Sequence, residues 1–245
     1  GLLKRSASEA DAMEKAVGGA FEKVGAAQAK LVKELCPQGG FHLIDVGCGS
    51  GRLAHALRAE TRVSYTGFDV VPDLVAYAEK ICDRPDWRFD TISELALPVE
   101  NAQADIIMFM SVFTHLKPDE IKTYLAEAFR VLKPGGRLVT ADLHCYGDDD
   151  RDEYFEVLRL RNPARKNFFA PGDLEARLPG ATHTRYISRE DVAVWADNGA
   201  ISDARQQKLL DVYRDGSDAF LRLHAAEVGE RVIDHMLFHV TVVVK

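Results

Sequence analysis

The run Asp45-Val46-Gly47-Cys48-Gly49-Ser50-Gly51 carries the sharpest chemical signal in the chain. A strand that ends in Asp-x-Gly-x-Gly-x-Gly and runs into a helix forms a cofactor-binding turn. Glycines let the backbone take positive φ and let a ligand approach the main chain. The helix that follows aims unpaired N–H groups at that ligand. Asp69, 18 residues past Gly51, ends the next apolar run and is placed to accept both hydroxyls of an adenosine ribose. Asp90, with Thr91 beside it, ends a third run, where an adenine edge would lie. Spacing then separates two ligand classes. A pyrophosphate site spaces its glycines G-x-G-x-x-G, whereas Gly47, Gly49 and Gly51 follow G-x-G-x-G, with Arg at position 52. Asp45 would also repel a pyrophosphate, while it suits a cationic amino-acid group.

These residues need elements to hold them, and the hydrophobic pattern supplies an alternation of strands and helices. Apolar runs at Phe41 to Val46, Val63 to Phe68, Trp87 to Phe89, Asp105 to Met110 and Arg137 to Leu143 read as strands. Between them, Ser50 to Ala59, Pro72 to Cys82 and Pro118 to Leu132 read as helices. Pro72 sits well in a first turn, and Lys133-Pro134-Gly135-Gly136 stops the last of the three. Such alternation predicts a parallel sheet covered on both faces, with the ligand at the carboxyl ends of its strands. Ahead of it, residues 7 to 35 read as a helix that Gly18-Gly19 divides. After Cys145 the alternation fails. Asp148 to Arg161 and Arg205 to Val228 are helical by pattern, and Met236 to Val244 is a strand rich in β-branched residues. Thr182 to Ile187 and Asp191 to Ala196 compete for a sixth strand. The stretch from 145 to 235 is longer than one crossover needs and reads as a cap.

Four segments now stand in order. Ile44 to Gly51 resembles the first motif of the class I S-adenosylmethionine-dependent methyltransferases, and Phe68-Asp69-Val70 resembles their ribose-binding position. Asp105-Ile106-Ile107 through Ser111 to Leu116 resembles their fourth strand and its loop, and Leu132 to Leu138 resembles the turn before their fifth strand. The resemblance spans about residues 40 to 143 and the final strand. It implies an α/β fold: a doubly wound, seven-stranded, mostly parallel sheet whose last strand is antiparallel. It divides the chain into an N-terminal helical segment (1–38), a cofactor-binding core (39–145), a substrate-determining cap (146–235) and a final strand (236–245). S-adenosylmethionine is the implied cofactor. Gly47, Cys48, Gly49 and Gly51 would line its methionine part, and Asp45 would hold its ammonium. Asp69 would take the ribose, Val70 would pack on adenine, Asp90 and Thr91 would meet the adenine edge, and Met110 and Ser111 would floor the site. Asp90 lies farther from Leu97-Pro98 than the family pattern has it.

The acceptor side is less determined. An oxygen or nitrogen nucleophile needs a base for its proton, and His115, His144 and Asp142 follow strand ends on the site's side of the sheet. His115 also reads as a bridge to the helix at Pro118, and His144 as solvent-facing. Arg159, Arg161 and Arg165, with Lys166, Phe168 and Phe169 near them, read either as an exposed helix face or as a clamp for a substrate carboxylate or phosphate. Cys48 reads as a small filler. Asp148-Asp149-Asp150 reads as a solvated helix start, and no metal-ligand spacing is present. Net charge of −7 opposes a nucleic-acid backbone as the main partner. So does Met110 to Phe113, where enzymes that methylate nucleic-acid amines carry Asp/Asn-Pro-Pro-aromatic. The expected acceptor is therefore a small molecule, with a protein or RNA acceptor as the second reading. A nicotinamide-dependent oxidoreductase and a non-catalytic binding protein follow further behind. No secretory signal and no membrane span are read, and four cysteines without pairing motifs predict a reducing, cytoplasmic setting. Oligomeric state is not legible.

Overall fold

The apolar runs pair into one sheet. In the computed structural model, which describes residues 8–245, they form β1 (Phe41–Val46), β2 (Val63–Asp69), β3 (Arg88–Thr91), β4 (Ala104–Met110) and β5 (Leu132–His144). The strand order is β3-β2-β1-β4-β5-β8-β6, where β6 is Thr182–Asp191 and β8 is Val232–Val244. Pairings among β1 to β5 are parallel. β8 runs antiparallel to both β5 and β6. An eighth strand, the two-residue β7 (Glu227–Val228), hangs on β8. The order reverses between β1 and β4, the point where open α/β sheets bind ligands.

Helices cover both faces, as near-continuous apolar strands demand. On one face α2 (Phe21–Leu35), α3 (Arg52–Leu57) and α4 (Pro72–Cys82) bury Leu43, Tyr65, Ile106 and Met108. On the other, α5 (Pro118–Val131) and α7 (Asp173–Arg177) bury Ile44, Phe68, Ile107 and Phe109. The expected N-terminal helix is two: α1 (Glu9–Ala16) is separated from α2 by Gly18 and Gly19, both at positive φ. The first residue of that expected helix lies outside the described residues.

The region from 146 to 235 divides between sheet and cap. Thr182–Asp191 is the sixth strand, and its rival segment folds as α8 (Val192–Ala196), capped by the Asp191 side chain. The strand is hard to read because it is a polar edge strand, mostly exposed, where hydrophobic alternation is not required. The final strand begins at Val232, earlier than its β-branched run suggests. The cap itself comprises α6 (Arg151–Arg161), α8, α9 (Asp203–Arg214) and α10 (Asp218–Leu223), packed around Tyr154, Trp195, Tyr213 and Phe220.

Within this cap core lies a buried polar chain that corrects the expectation for the aspartate run. Asp148 and Asp149 are exposed, but Asp150 is fully buried. It accepts from the backbone N–H groups of Tyr146 and Gly147, at 2.7 Å each. The His224 ring lies between Asp150 (2.9 Å) and Asp234 (2.8 Å), and Tyr213 Oη donates to Asp234 at 2.6 Å.

Candidate functional site

The glycine turn bends as its composition requires. Gly47 and Gly51 have φ of +79° and +82°, and a Cβ at Gly47 would lie 2.5 Å from Val112. The N–H groups of Gly47 and Cys48 both donate to the Phe68 carbonyl, which ties the turn to the end of β2. Asp69 completes that tie. One carboxylate oxygen accepts from Gly49 N–H at 2.8 Å and the other from Val71 N–H at 3.0 Å. Val70 beside it is 66% exposed, an open apolar surface at the tip of β2. Thr91 pairs with Asp69 in register, so β3 delivers Asp90 and Thr91 to the same edge. The Asp90 carboxylate is held by Arg88, a partner that the sequence pattern did not reveal.

Asp45 lies beneath the turn. It is buried, accepts a hydrogen bond from Tyr65 Oη at 2.7 Å, and has its pKa raised to about 6 by burial, against the pull of Tyr65 and Arg52. Burial also pushes the Cys48 thiol far up, so Cys48 is a filler and not a nucleophile. Arg52 donates to the Gly18 carbonyl at 2.7 Å, and a Cβ on Gly49 would lie 2.5 Å from Val17. The α1–α2 junction therefore closes over the turn. The residues present fit S-adenosylmethionine: a cradle that admits no Cβ, a ribose carboxylate at the strand end, an open apolar face for a base and a carboxylate below for an ammonium.

The acceptor side is built from β4, β5 and the cap. Met110 ends β4, and Ser111 follows with φ of +57°, unusual outside glycine, its N–H donating to the Ala141 carbonyl. Strain of this kind persists where surroundings fix it, often at functional sites. Here Thr114 Oγ1 donates to the Ser111 carbonyl, and Asn167 Nδ2 donates to the Phe113 carbonyl at 3.1 Å. That second bond pins the cap loop to the turn Phe113–His115.

Asp142 is fully buried, and no side chain hydrogen-bonds either carboxylate oxygen. Burial raises its pKa to about 7, opposed by Arg165 and the backbone of Thr114. Arg165 presents a buried Nε and Nη1 that also lack partners. Arg161 stacks 4.5 Å over Trp195; burial, then the charges of Arg165 and Arg52, lower its pKa to about 10. His115 faces this cationic group. Burial and the charges of Arg165, Arg161 and Lys166 lower its pKa to about 4, which leaves a weak base.

The remaining candidates stand apart. His144 is fully buried, not solvent-facing, and lies stacked on Phe169 and against His239; burial and His239 lower its pKa to about 3. Arg159 is exposed, over the Phe168 ring at 4.7 Å and ion-paired with Glu156. Of the three arginines, Arg161 and Arg165 converge on the site and Arg159 faces out. Tyr154, whose buried hydroxyl has no partner, was not singled out by the sequence because its spacing is that of an ordinary core residue.

Residues 43–136 match a family described as a methyltransferase domain. The chain is 35% identical over 144 residues to a malonyl-[acyl-carrier protein] O-methyltransferase of Hahella chejuensis, covering 58% of this chain and 49% of that protein. It is 28% identical over 184 residues to a tRNA N(3)-methylcytidine methyltransferase of Schizosaccharomyces pombe, covering 70% of this chain and 55% of that one. The chain thus spans about half the length of these relatives. Its fold is that of the YcgJ protein of Bacillus subtilis, with a TM-score of 0.77 at 17% identity over 89% of this chain and 98% of that one.

Proposed function

We propose that this chain, whose residues 43–136 match a methyltransferase domain, is a class I S-adenosylmethionine-dependent methyltransferase that methylates an oxygen or nitrogen of a small acceptor carrying an anionic group. The observation that carries the acceptor class is Arg165, a guanidinium whose buried Nε and Nη1 have no partner and which lies within electrostatic reach of the buried Asp142 carboxyl. A buried charge without a partner is costly, and an acceptor carboxylate or phosphate would satisfy it, as guanidinium geometry favours. The Hahella relative, named for O-methylation of a malonyl group carried on acyl-carrier protein, supports the anionic group and the oxygen but not the small size of the acceptor.

S-adenosylmethionine supplies an electrophilic methyl group on its sulfonium. The backbone of Gly47, Cys48, Gly49 and Gly51 with Asp45 would hold its amino-acid part, Asp69 the ribose, and Val70, Asp90 and Thr91 the adenine, above a floor of Met110 and Ser111. Alignment then accounts for much of the rate. Asp142 is the base we favour over His115 and His144: a carboxyl near neutral pKa takes a proton at neutral pH, whereas imidazoles held at about 4 and 3 do so poorly. Arg161 and Arg165 orient the acceptor, and the α1–α2 junction excludes water. We assign acceptor choice to the cap within 146–235 and the protein to the cytoplasm. Among the described residues no helix is long and apolar enough to cross a membrane.

The Schizosaccharomyces relative, named for a tRNA substrate, gives the competing reading, which a net charge of −7 opposes. Labelled S-adenosylmethionine offered with a panel of small carboxylates and phosphates, their neutral esters, and bulk tRNA decides between them. Label should enter anionic small molecules. Label in tRNA alone would overturn the acceptor class, and no cofactor binding at millimolar concentration would overturn the whole reading.

A further inference from the structure

We infer that Glu175, His183 and His239 form a binding site for a divalent transition-metal ion of the zinc class. The site is separate from the glycine turn, and its His239 lies opposite Asp142 across β5 and β8. It also departs from the sequence expectation of no metal ligands, because these three residues share no motif and meet only through the fold.

The sheet brings two of them together. β6 and β8 are antiparallel, with His183 opposite Thr241 and Arg185 opposite His239. Directly opposed residues share a face, so His183 and His239 are diagonal neighbours on one side. α7 then lays Glu175 over that side. His183 Nδ1 lies 3.1 Å from His239 Nε2, and Glu175 Oε1 lies 3.5 Å from the same His239 nitrogen. The three donor atoms all fall within 4.8 Å of one another. Zinc binds imidazole nitrogen at about 2.0–2.1 Å, which sets neighbouring donors of a tetrahedral site about 3.3 Å apart. The two short separations bracket that value. Two imidazoles and one carboxylate are a donor set that suits zinc, nickel, copper or iron and leaves positions open.

Three surrounding features bear on the site. His239 is 1% exposed while His183 and Glu175 are partly exposed, so an ion has a rigid base and a path from solvent. His144 is fully buried with both ring nitrogens unpartnered, and its ring lies 4.6 Å from that of His239. An unpaired buried imidazole calls for an explanation, and a neighbouring ion or its bound water provides one. Glu175 is also held in place, since its other oxygen accepts from Gly172 N–H at 3.1 Å. Two contacts oppose occupancy. Thr241 Oγ1 lies 3.0 Å from His183 Nδ1, and Arg185 adds positive charge on the same face. An ion would tie α7 to the β6–β8 edge.

The test uses the untagged full chain, stripped with chelator and titrated with Zn²⁺ by calorimetry. One equivalent should bind. The melting temperature should rise by about 5–10 °C when free zinc is about 100-fold above Kd. Co²⁺ in its place should give visible absorption of a low-symmetry nitrogen and oxygen site. Glu175→Gln and His183→Ala, both at partly exposed positions, should each weaken binding at least about tenfold. His55→Ala removes an unrelated histidine 3.5 Å from Glu22 and should leave binding unchanged. Absence of stoichiometric zinc, or binding indifferent to both Glu175→Gln and His183→Ala, would overturn the site.

Discussion

His224 and Asp142 are both fully enclosed ionisable groups, and they are finished in opposite ways. His224 has each ring nitrogen on a carboxylate, and those carboxylates are in turn satisfied by Tyr213 Oη and by two backbone N–H groups. Asp142 has no side-chain hydrogen bond on either oxygen and only the Thr114 backbone near it, and the guanidinium within its electrostatic reach is short of partners too. Nearly all buried polar groups in native proteins are paired, so a complete network is what a structural role looks like. A gap in pairing marks where a ligand completes the set. The cap core therefore holds the shape, and the face of β5 toward Arg165 is where we place the acceptor.

The contrast is broken most strongly at the complete network. His224→Ala should leave Asp150 and Asp234 buried without their counter-ion and cost about 3–5 kcal/mol of stability, measured by denaturant unfolding. Cofactor affinity of the folded fraction should not change. Burial works against the charged ring, but the two carboxylates outweigh it and raise the His224 pKa. Its stabilising contribution is thus fully present below the ordinary histidine pKa and is lost as pH rises through the raised value. The gap between wild type and His224→Ala should accordingly narrow toward alkaline pH. A gap that widens there would show that the ring is held neutral.

Asp142→Asn should do the reverse. Stability should hold or improve, because a desolvated carboxylate is removed, while methyl transfer falls by about 10²–10⁴-fold if Asp142 is the general base. Since its folded pKa of about 7 exceeds the unfolded value of 3.8, wild-type stability should fall as pH rises through that interval and level off above it. The variant should lose this slope, together with the acid limb of its pH–rate profile. An unchanged rate would return the base to His115 or dispense with one.

What the sequence made legible follows the same division. The glycine turn, the position of Asp69 and the strands at Phe41, Val63 and Asp105 were readable because local spacing encodes their conformation. The strand at Thr182 was ambiguous, since an edge strand with one solvent face has no hydrophobic alternation to read. Asp150 sat in an acidic run that resembles a solvated helix start, and nothing local announces His224 as its partner 74 residues away. The approach of Arg165 to Asp142, and the meeting of His183 with His239, depend on strand order and on the cap's return across the sheet. Such contacts are properties of topology and leave no trace in composition.

On the cofactor side the comparison predicts a smaller effect. Asp69 is satisfied by Gly49 and Val71 N–H groups yet remains partly exposed at the open end of β2. It holds the turn, and in our proposal it takes the ribose as well. Asp69→Ala should weaken S-adenosylmethionine binding by about 10–100-fold, the span of one or two hydrogen bonds to a charged group, by calorimetry. Unchanged affinity would remove the ribose assignment.

The smallest effect separates arginines that one sequence cluster groups together. Arg165 faces Asp142 with unpartnered N–H groups, so Arg165→Ala should raise KM for an anionic acceptor by at least about tenfold, the scale of one charge-assisted hydrogen bond. Cofactor affinity should stay unchanged, which distinguishes an acceptor clamp from a group that binds the cofactor's own carboxylate. Arg159 lies outside, its guanidinium over Phe168 and its ion pair with Glu156 exposed. Arg159→Ala should leave KM unaltered and change stability by no more than about 0.5 kcal/mol. If the two variants instead shifted KM alike, the acceptor would be held by a diffuse positive surface, and the unpaired guanidinium would not be what selects it.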